Sequence, residues 1–175
     1  MILLRKFIFQ STRLGFSEWQ SSDFELAIDL WEDPLVARFI SGKGQFTVEE
    51  VNERLFKEIR NGVYFQVQYW PLFELESGEM IGCCGLRPYN KVIQAYELGF
   101  HLKKDYWGKG YAFEAALAVL EHARYNLKTE YVVAGHHPEN VASAKLLRKL
   151  GFHFSHYEYY DATGLEHPTY TLKLT

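Results

Sequence analysis

The stretch that decides the fold reads Asp105-Tyr106-Trp107-Gly108-Lys109-Gly110-Tyr111-Ala112. It follows Ala95 to Leu102, which reads as a strand. It opens a segment from Tyr111 to about Leu127 in which Ala112, Ala115, Ala116, Val119, Leu120 and Ala123 recur at helical spacing. A strand-to-helix junction leaves the first helical amides without acceptors, and the helix dipole adds positive potential. Such a turn suits a phosphate or pyrophosphate. Gly108 and Gly110 let the main chain approach a ligand closely and take positive φ, and Lys109 adds a cation at the rim. Glycines at such junctions also serve as plain turn residues, so the junction alone leaves both readings open. Two nucleotide motifs do not fit. A dinucleotide fingerprint needs Gly or Ala where Phe113 stands, and Gly42-Lys43 has Ala37 and Gly44 where a P-loop needs glycine and a hydroxyl.

Downstream, Tyr131 to Gly135 reads as a strand, Asn140 to Leu150 as a helix closed by Gly151, and Phe152 to Tyr160 as a strand. Asp161 to Gly164 turns the chain into a last strand, Thr169 to Leu174. Upstream, Tyr64 to Leu75 is rich in aromatic and β-branched residues, with Pro71 marking a bulge or an edge. Glu76-Ser77-Gly78 reads as a turn and Met80 to Leu86 as the hairpin partner. Thr47 and Glu50 form a capping box for a helix carrying Val48, Val51, Leu55 and Ile59, with Gly62 as its C-cap. Ser22 and Glu25 form another, for a helix that stops near Asp33-Pro34, and Arg13 to Phe16 is strand-like. The order β-α-α-β-β-β-α-β-α-β-β predicts an α/β protein, a mixed sheet with helices packed on it.

The 175 residues suit one domain spanning 1–175. With 47% hydrophobic and 23% charged residues the composition is that of a folded globule, and a net charge of −3 argues against a nucleic-acid-binding surface. No apolar run reaches the ~18 residues of a membrane span, and Met1 to Gln10 lacks the apolar core and cleavage site of a signal peptide. The two cysteines, Cys83 and Cys84, are adjacent and cannot staple distant segments. A reducing, cytoplasmic setting is expected, with neither nucleic acid nor membrane as partner.

Four motifs now stand in order: Glu97-Leu98-Gly99-Phe100-His101-Leu102; Trp107-Gly108-Lys109-Gly110-Tyr111-Ala112 with Glu114-Ala115; Asn140-Val141-Ala142-Ser143; and Lys149-Leu150-Gly151-Phe152. Together they resemble the acetyl-CoA-binding core of the GNAT superfamily of N-acetyltransferases, most of all the ribosomal-protein N-terminal (alanine/serine) acetyltransferase branch. Thr12-Arg13-Leu14, Asp23 and Asp33-Pro34 are similar to that branch's opening strand and helix. Asp105 departs from the Gln or Arg with which much of the superfamily begins the loop.

The resemblance implies a central mixed sheet with helices on both faces and a splay between two parallel strands, here Glu97 to Leu102 and Tyr131 to Gly135. Acetyl-CoA would lie in that splay, its pyrophosphate on the amides of about Trp107 to Ala112 (Trp107, Gly108, Lys109, Gly110, Tyr111, Ala112). Main-chain groups of Phe100 and Leu102, with Asn140, would hold the pantetheine arm. A primary amine, either a protein N-terminus or a small molecule, would attack the thioester directly. Glu97 is the expected base. Many relatives place a tyrosine where Leu147 stands; the terminal-amine branch that this chain resembles can instead use a serine three residues after the helix-opening asparagine, a place Ser143 matches, so the resemblance implies Ser143 as proton donor to the thiolate. Each has a plainer reading: Glu97 as a solvated or paired strand residue, Ser143 as a first-turn helix residue, Asn140 as an N-cap. A thiolate can also leave unaided.

Other residues carry less. His136-His137 end a strand near the expected acceptor, but adjacent strand histidines point to opposite faces and no metal set completes them; His153 and His156 fare no better, and no metal is expected. Cys83 and Cys84 read as buried strand residues. Trp31, Tyr64, Trp70 and Tyr89 line either the acceptor cleft or the core. Glu49, Glu50, Glu53 and Glu58 either attract a cationic acceptor or, for most of them, form a solvated helix face. Either a monomer or a homodimer fits. The competing function is a CoA-binding sensor or partner-binding module without turnover.

Overall fold

Alternation of side chains along the central strands splits the interior in two. The computed structural model describes residues 4–174. Among these, eight strands form one sheet in the order β1-β2-β3-β4-β5-β6-β8-β7. They are β1 (Phe9–Gln10), β2 (Leu14–Phe16), β3 (Tyr69–Glu74), β4 (Met80–Asn90), β5 (Ala95–Leu102), β6 (Tyr131–Gly135), β7 (His153–Tyr160) and β8 (Leu165–Lys173). Every neighbouring pair is antiparallel except β5 and β6. Consecutive residues point to opposite faces, so Trp70, Leu72 and Cys84 join one core while Tyr69, Phe73 and Cys83 join the other.

The helices divide accordingly. On the first face lie α4 (Tyr111–Tyr125), through Ala115, Ala116, Val119, Leu120 and Ala123, and α5 (Val141–Lys149), through Leu147. On the second lie α1 (Phe24–Trp31) and α3 (Val48–Phe65), through Ala27, Leu30, Trp31, Val51 and Leu55. A one-turn helix, α2 (Pro34–Ala37), follows α1.

Several expected boundaries move, each for a local reason. The first helix is not opened by Ser22 and Glu25: the reciprocal cap joins Gln20 and Asp23 around a 3₁₀ turn. That helix does stop just before Asp33-Pro34, at Trp31, and Pro34 then opens α2, whose first turn is capped by the Asp33 carboxylate accepting from Leu35 N at 2.9 Å. Thr47 and Glu50 cap α3 as expected, yet the helix runs past Gly62 to Phe65, and Gln66 takes the left-handed terminal position at φ 59°. Gly62 serves packing instead, because a Cβ there would lie 2.4 Å from Gln68 Nε2. Tyr64 is therefore helical, and the strand begins only at Tyr69. Pro71 lies in an interior strand, tolerated because β2 ends beside it: Ser17 N donates to Pro71 O at 3.1 Å, and no return donor is needed.

Candidate active site

The two parallel strands stay together for only two residue pairs, Tyr96 with Val132 and Glu97 with Val133. Beyond Glu97 they part. Lys103 N donates to Ile81 O at 2.9 Å, so the odd-numbered residues of β5 bond β4 and the even-numbered Phe100 and Leu102 turn their main-chain groups toward the gap. Leu102 O is already engaged by Trp107 Nε1 at 2.8 Å, which leaves its amide and the groups of Phe100 free. A cavity of about 560 Å³ occupies the gap, lined by Glu97 to Leu102 on one side and by Gly135, His136 and Asn140 on the other.

At one end of this cavity stands the glycine turn. Trp107 N still bonds Lys104 O at 3.0 Å, and the next backbone bond runs from Glu114 N to Gly110 O at 3.1 Å. Among the described residues, the six amides from Gly108 to Phe113 between them find no backbone acceptor, the arrangement an anion fits. Gly108 and Gly110 take φ of 70° and 82° there, and a Cβ at Gly108 would meet nothing within 4 Å, so the turn is open to a ligand. Lys109 does not line the cavity, its Nζ lying 5.7 Å from the Tyr106 ring centre; Lys149, 4.2 Å from the Phe113 ring centre, is a lysine that does.

Sequence reading did not anticipate how this turn is braced. The Glu114 carboxylate accepts from Arg13 N, Arg13 Nε and Ser11 Oγ, each at 2.7 Å. Arg13 Nη1 donates to Lys109 O at 3.0 Å, and its guanidinium lies 4.1 Å from the Tyr111 ring centre. Tyr111 Oη donates in turn to Glu74. Arg13 and Glu114 stood in the sequence motifs, but only the fold shows them meeting.

Asn140 caps α5, its Oδ1 accepting from Ser143 N at 3.1 Å, and its amide nitrogen is left to donate. Ser143 lines the cavity from the first turn of that helix. Leu147, at the position of the common tyrosine, is buried in the core and does not line the cavity. Glu97 lies where the strands part, cross-strand from Arg87. Burial raises its pKa, aided by Glu158 and opposed by Arg87 and Lys57.

The opposite end of the cavity is built on the α1–α3 face. Glu58, read as a member of a solvated acidic face, is wholly buried there. Its carboxylate accepts from Arg87 Nη2, from Arg87 Nε at 3.2 Å and from Tyr69 N at 2.8 Å. Glu49 and Glu53 are exposed on the outer side of α3, and Glu50 belongs to the cap. Arg87 in turn lies 4.0 Å from the Tyr69 ring centre. The aromatic residues of the cavity are Phe39, Tyr69, Tyr106, Tyr160 and others, not Trp31 and Trp70, which are core, nor Tyr64 and Tyr89, which face outward.

His101 lines the cavity on its α1–α3 side and accepts from Trp31 Nε1 at 3.1 Å; burial, then Arg54 and Arg87, hold its pKa well below the ordinary histidine value. His136 and His137 line the cavity just beyond the end of β6, where His136 Nδ1 contacts His137 O at 2.7 Å. His153 and His156 are exposed on β7. Among the described residues no three His, Cys, Asp or Glu side chains gather as a metal requires. Cys83 and Cys84 are free and buried on opposite faces, and desolvation raises both thiol pKa values. No helix among the described residues is long and apolar enough to cross a membrane.

Comparison with known proteins agrees with this geometry. Residues 13–153 match the family model described as an acetyltransferase (GNAT) domain. An uncharacterized N-acetyltransferase, p20, of Bacillus licheniformis is 26% identical over 140 residues, 80% of this chain and 79% of that protein. The ribosomal protein uS5-alanine N-acetyltransferase of Escherichia coli is 30% identical over 88 residues, 48% of this chain and 44% of that one. Among solved structures, RimL, a ribosomal-protein α-N-acetyltransferase in complex with coenzyme A, superposes with a TM-score of 0.80 at 16% identity over 97% of this chain and 98% of its own. With a family model covering most of its length and the same mixed sheet parted at one parallel pair, the chain belongs to the GNAT acetyltransferase family, with the ribosomal-protein acetyltransferases among its relatives.

Proposed function

We propose that the protein transfers the acetyl group of acetyl-CoA to a primary amine by direct attack. The observation that carries this reading is the continuity of one cavity from six unpartnered amides, through the parted strands, to Glu97. The amides at 108–113 fit the pyrophosphate, and the free main-chain groups of Phe100 and Leu102, with the Asn140 amide, fit the pantetheine arm. The amine must be neutral to attack. Glu97, whose affinity for protons burial has raised, takes its proton. As the C–N bond forms and the C–S bond breaks, Ser143 gives a proton to the departing thiolate. The acceptor is a protein N-terminus or a small amine, in keeping with the ribosomal-protein relatives, and the two buried free thiols suit a reducing cytoplasm.

Thiol release from acetyl-CoA over a panel of amines and N-terminal peptides tests the proposal. Binding of acetyl-CoA without turnover on any acceptor favours a non-catalytic CoA sensor, a reading to which the loss of the common tyrosine at Leu147 lends its one support. Gly110→Val puts a β-branched side chain at a φ of 82°. It is expected to weaken acetyl-CoA binding at least tenfold in a folded protein, and unchanged affinity would remove the cradle from the mechanism.

A further inference from the structure

The acceptor end of the cavity holds a charge that the protein does not answer. Arg54, on α3, lines that end, and its Nη1 is buried with no hydrogen-bond partner among the described residues. Its nearest rings are apolar, Phe46 at 4.9 Å and Trp31 at 5.4 Å from Cζ to ring centre. Glu58, one turn along the same helix, is committed to Arg87 and to Tyr69 N. Glu97, the carboxyl that lines the cavity, stands cross-strand from Arg87 and makes no hydrogen bond to Arg54. Arg38, stacked 4.4 Å from the Phe39 ring centre, adds a further cation at the mouth. A buried guanidinium nitrogen without an acceptor is costly, and it calls for a partner that the described residues do not supply.

Resting on the acetyl-transfer reading above, we infer that the acceptor is an amine that also carries a carboxylate, received by Arg54 while the amine faces Glu97. A guanidinium presents a planar fork that matches one carboxylate in bidentate fashion. The remaining walls at this end, Val36, Phe39 and Ile40, suit an apolar body between the two groups. A free amino acid and a peptide with an acidic residue next to its terminal amine both offer this chemistry.

Matched acceptors test the inference on the intact protein. Phenylalanine is compared with phenethylamine for the free amino acid, and the dipeptide amide Ala-Asp with Ala-Asn for the peptide source. The carboxylate-bearing member of the preferred pair is expected to show kcat/KM about 10- to 100-fold higher, the scale of a charge-assisted hydrogen bond. Arg54→Met should collapse that ratio toward one, while Arg54→Lys, which keeps the charge and loses the fork, retains part of it. Equal kcat/KM within both pairs, or a folded Arg54→Met with the preference intact, overturns the inference. If no amine is acetylated at all, calorimetric titration with N-acetylphenylalanine and N-acetylphenethylamine separates the two questions. Binding of the first alone, lost in Arg54→Met, upholds the carboxylate site without the transferase reading; equal binding, or none, overturns the site as well.

Discussion

Replacing Glu58 by glutamine is expected to be among the most damaging single changes in this protein. The carboxylate is fully shielded from water, receives two nitrogens of Arg87, and accepts the Tyr69 amide at 2.8 Å. Glutamine keeps the shape but has no charge, and whichever way it turns, its NH₂ group faces another donor, the Arg87 guanidinium or the Tyr69 amide. Arg87 is then a buried cation without a counter-ion, a situation that costs about 3–5 kcal/mol. Against the roughly 5–15 kcal/mol that holds a domain folded, this is a third or more of the total. Urea unfolding followed by fluorescence of the buried Trp31 and Trp70 reads the loss. At a slope of about 2 kcal/mol per molar urea, the midpoint should fall by about 1.5–2.5 M. The double variant Glu58→Leu with Arg87→Met removes both charges and leaves only the Tyr69 amide unanswered, a cost of about 1–3 kcal/mol. The reasoning fails if the single variant loses under 1 kcal/mol, or if the double variant is less stable than the single.

Three further outcomes follow from the site. Glu97→Gln should lower turnover by about 10²- to 10⁴-fold, the range of general-base catalysis, and most strongly at low pH where the amine is protonated; a pH–rate profile overlying the parent's assigns the proton to another group. Ser143→Ala should slow the chemical step while leaving the acetyl-CoA dissociation constant in place, and single-turnover rates equal to the parent's remove Ser143 from the mechanism. His167, buried against Tyr160 and Thr163, has its pKa pushed down to about 4 by desolvation and by its neighbours His137 and His136. A histidine kept neutral in the fold lends stability that is present above its unfolded value near 6.5 and is lost as pH falls from there toward 4; His167→Gln should flatten the stability curve in that window, and identical curves would mean His167 carries no such linkage.

The candidate site's geometry was legible in the sequence wherever it is built from the main chain, because glycine spacing and capping are local signals. Gly108 and Gly110 announced the open turn, Asn140 the cap of α5, and Ala95–Leu102 and Tyr131–Gly135 the strands whose ends match the observed ones. Residues whose meaning depends on a distant partner were not legible. Glu58 falls on the same helical face as Val51 and Leu55, but a carboxylate there reads as solvated until β4 returns beside α3, 29 residues later, and supplies Arg87. Arg54 and Arg87 carry no motif at all. Gly62 looked like a helix terminator because the alternative, close packing by the Gln68 side chain, leaves no trace in local sequence.

The strand β5 gives the physical reason why the proposed transfer would take place at Glu97 rather than elsewhere along the gap. Its even-numbered side chains Leu98, Phe100 and Leu102 pack on the α4 face, while its main-chain groups at Phe100 and Leu102 face the space vacated by β6. Its odd-numbered side chains turn the other way, toward α1 and α3: His101 meets Trp31, and Glu97 stands opposite Arg87. Between them Gly99 has no side chain, and the Tyr69 ring fills that place, 2.3 Å from where a Cβ would be. The ring in turn supports the Arg87 guanidinium at 4.0 Å. In the proposed reading one strand would thus hold the carrier along its edge and the acceptor on its face, and the two surfaces converge at the last residue still paired to β6. That residue is the carboxyl. Move the point of parting by one residue and the alternation would put Leu98 there in its place, an apolar side chain turned toward α4 with nothing to accept a proton.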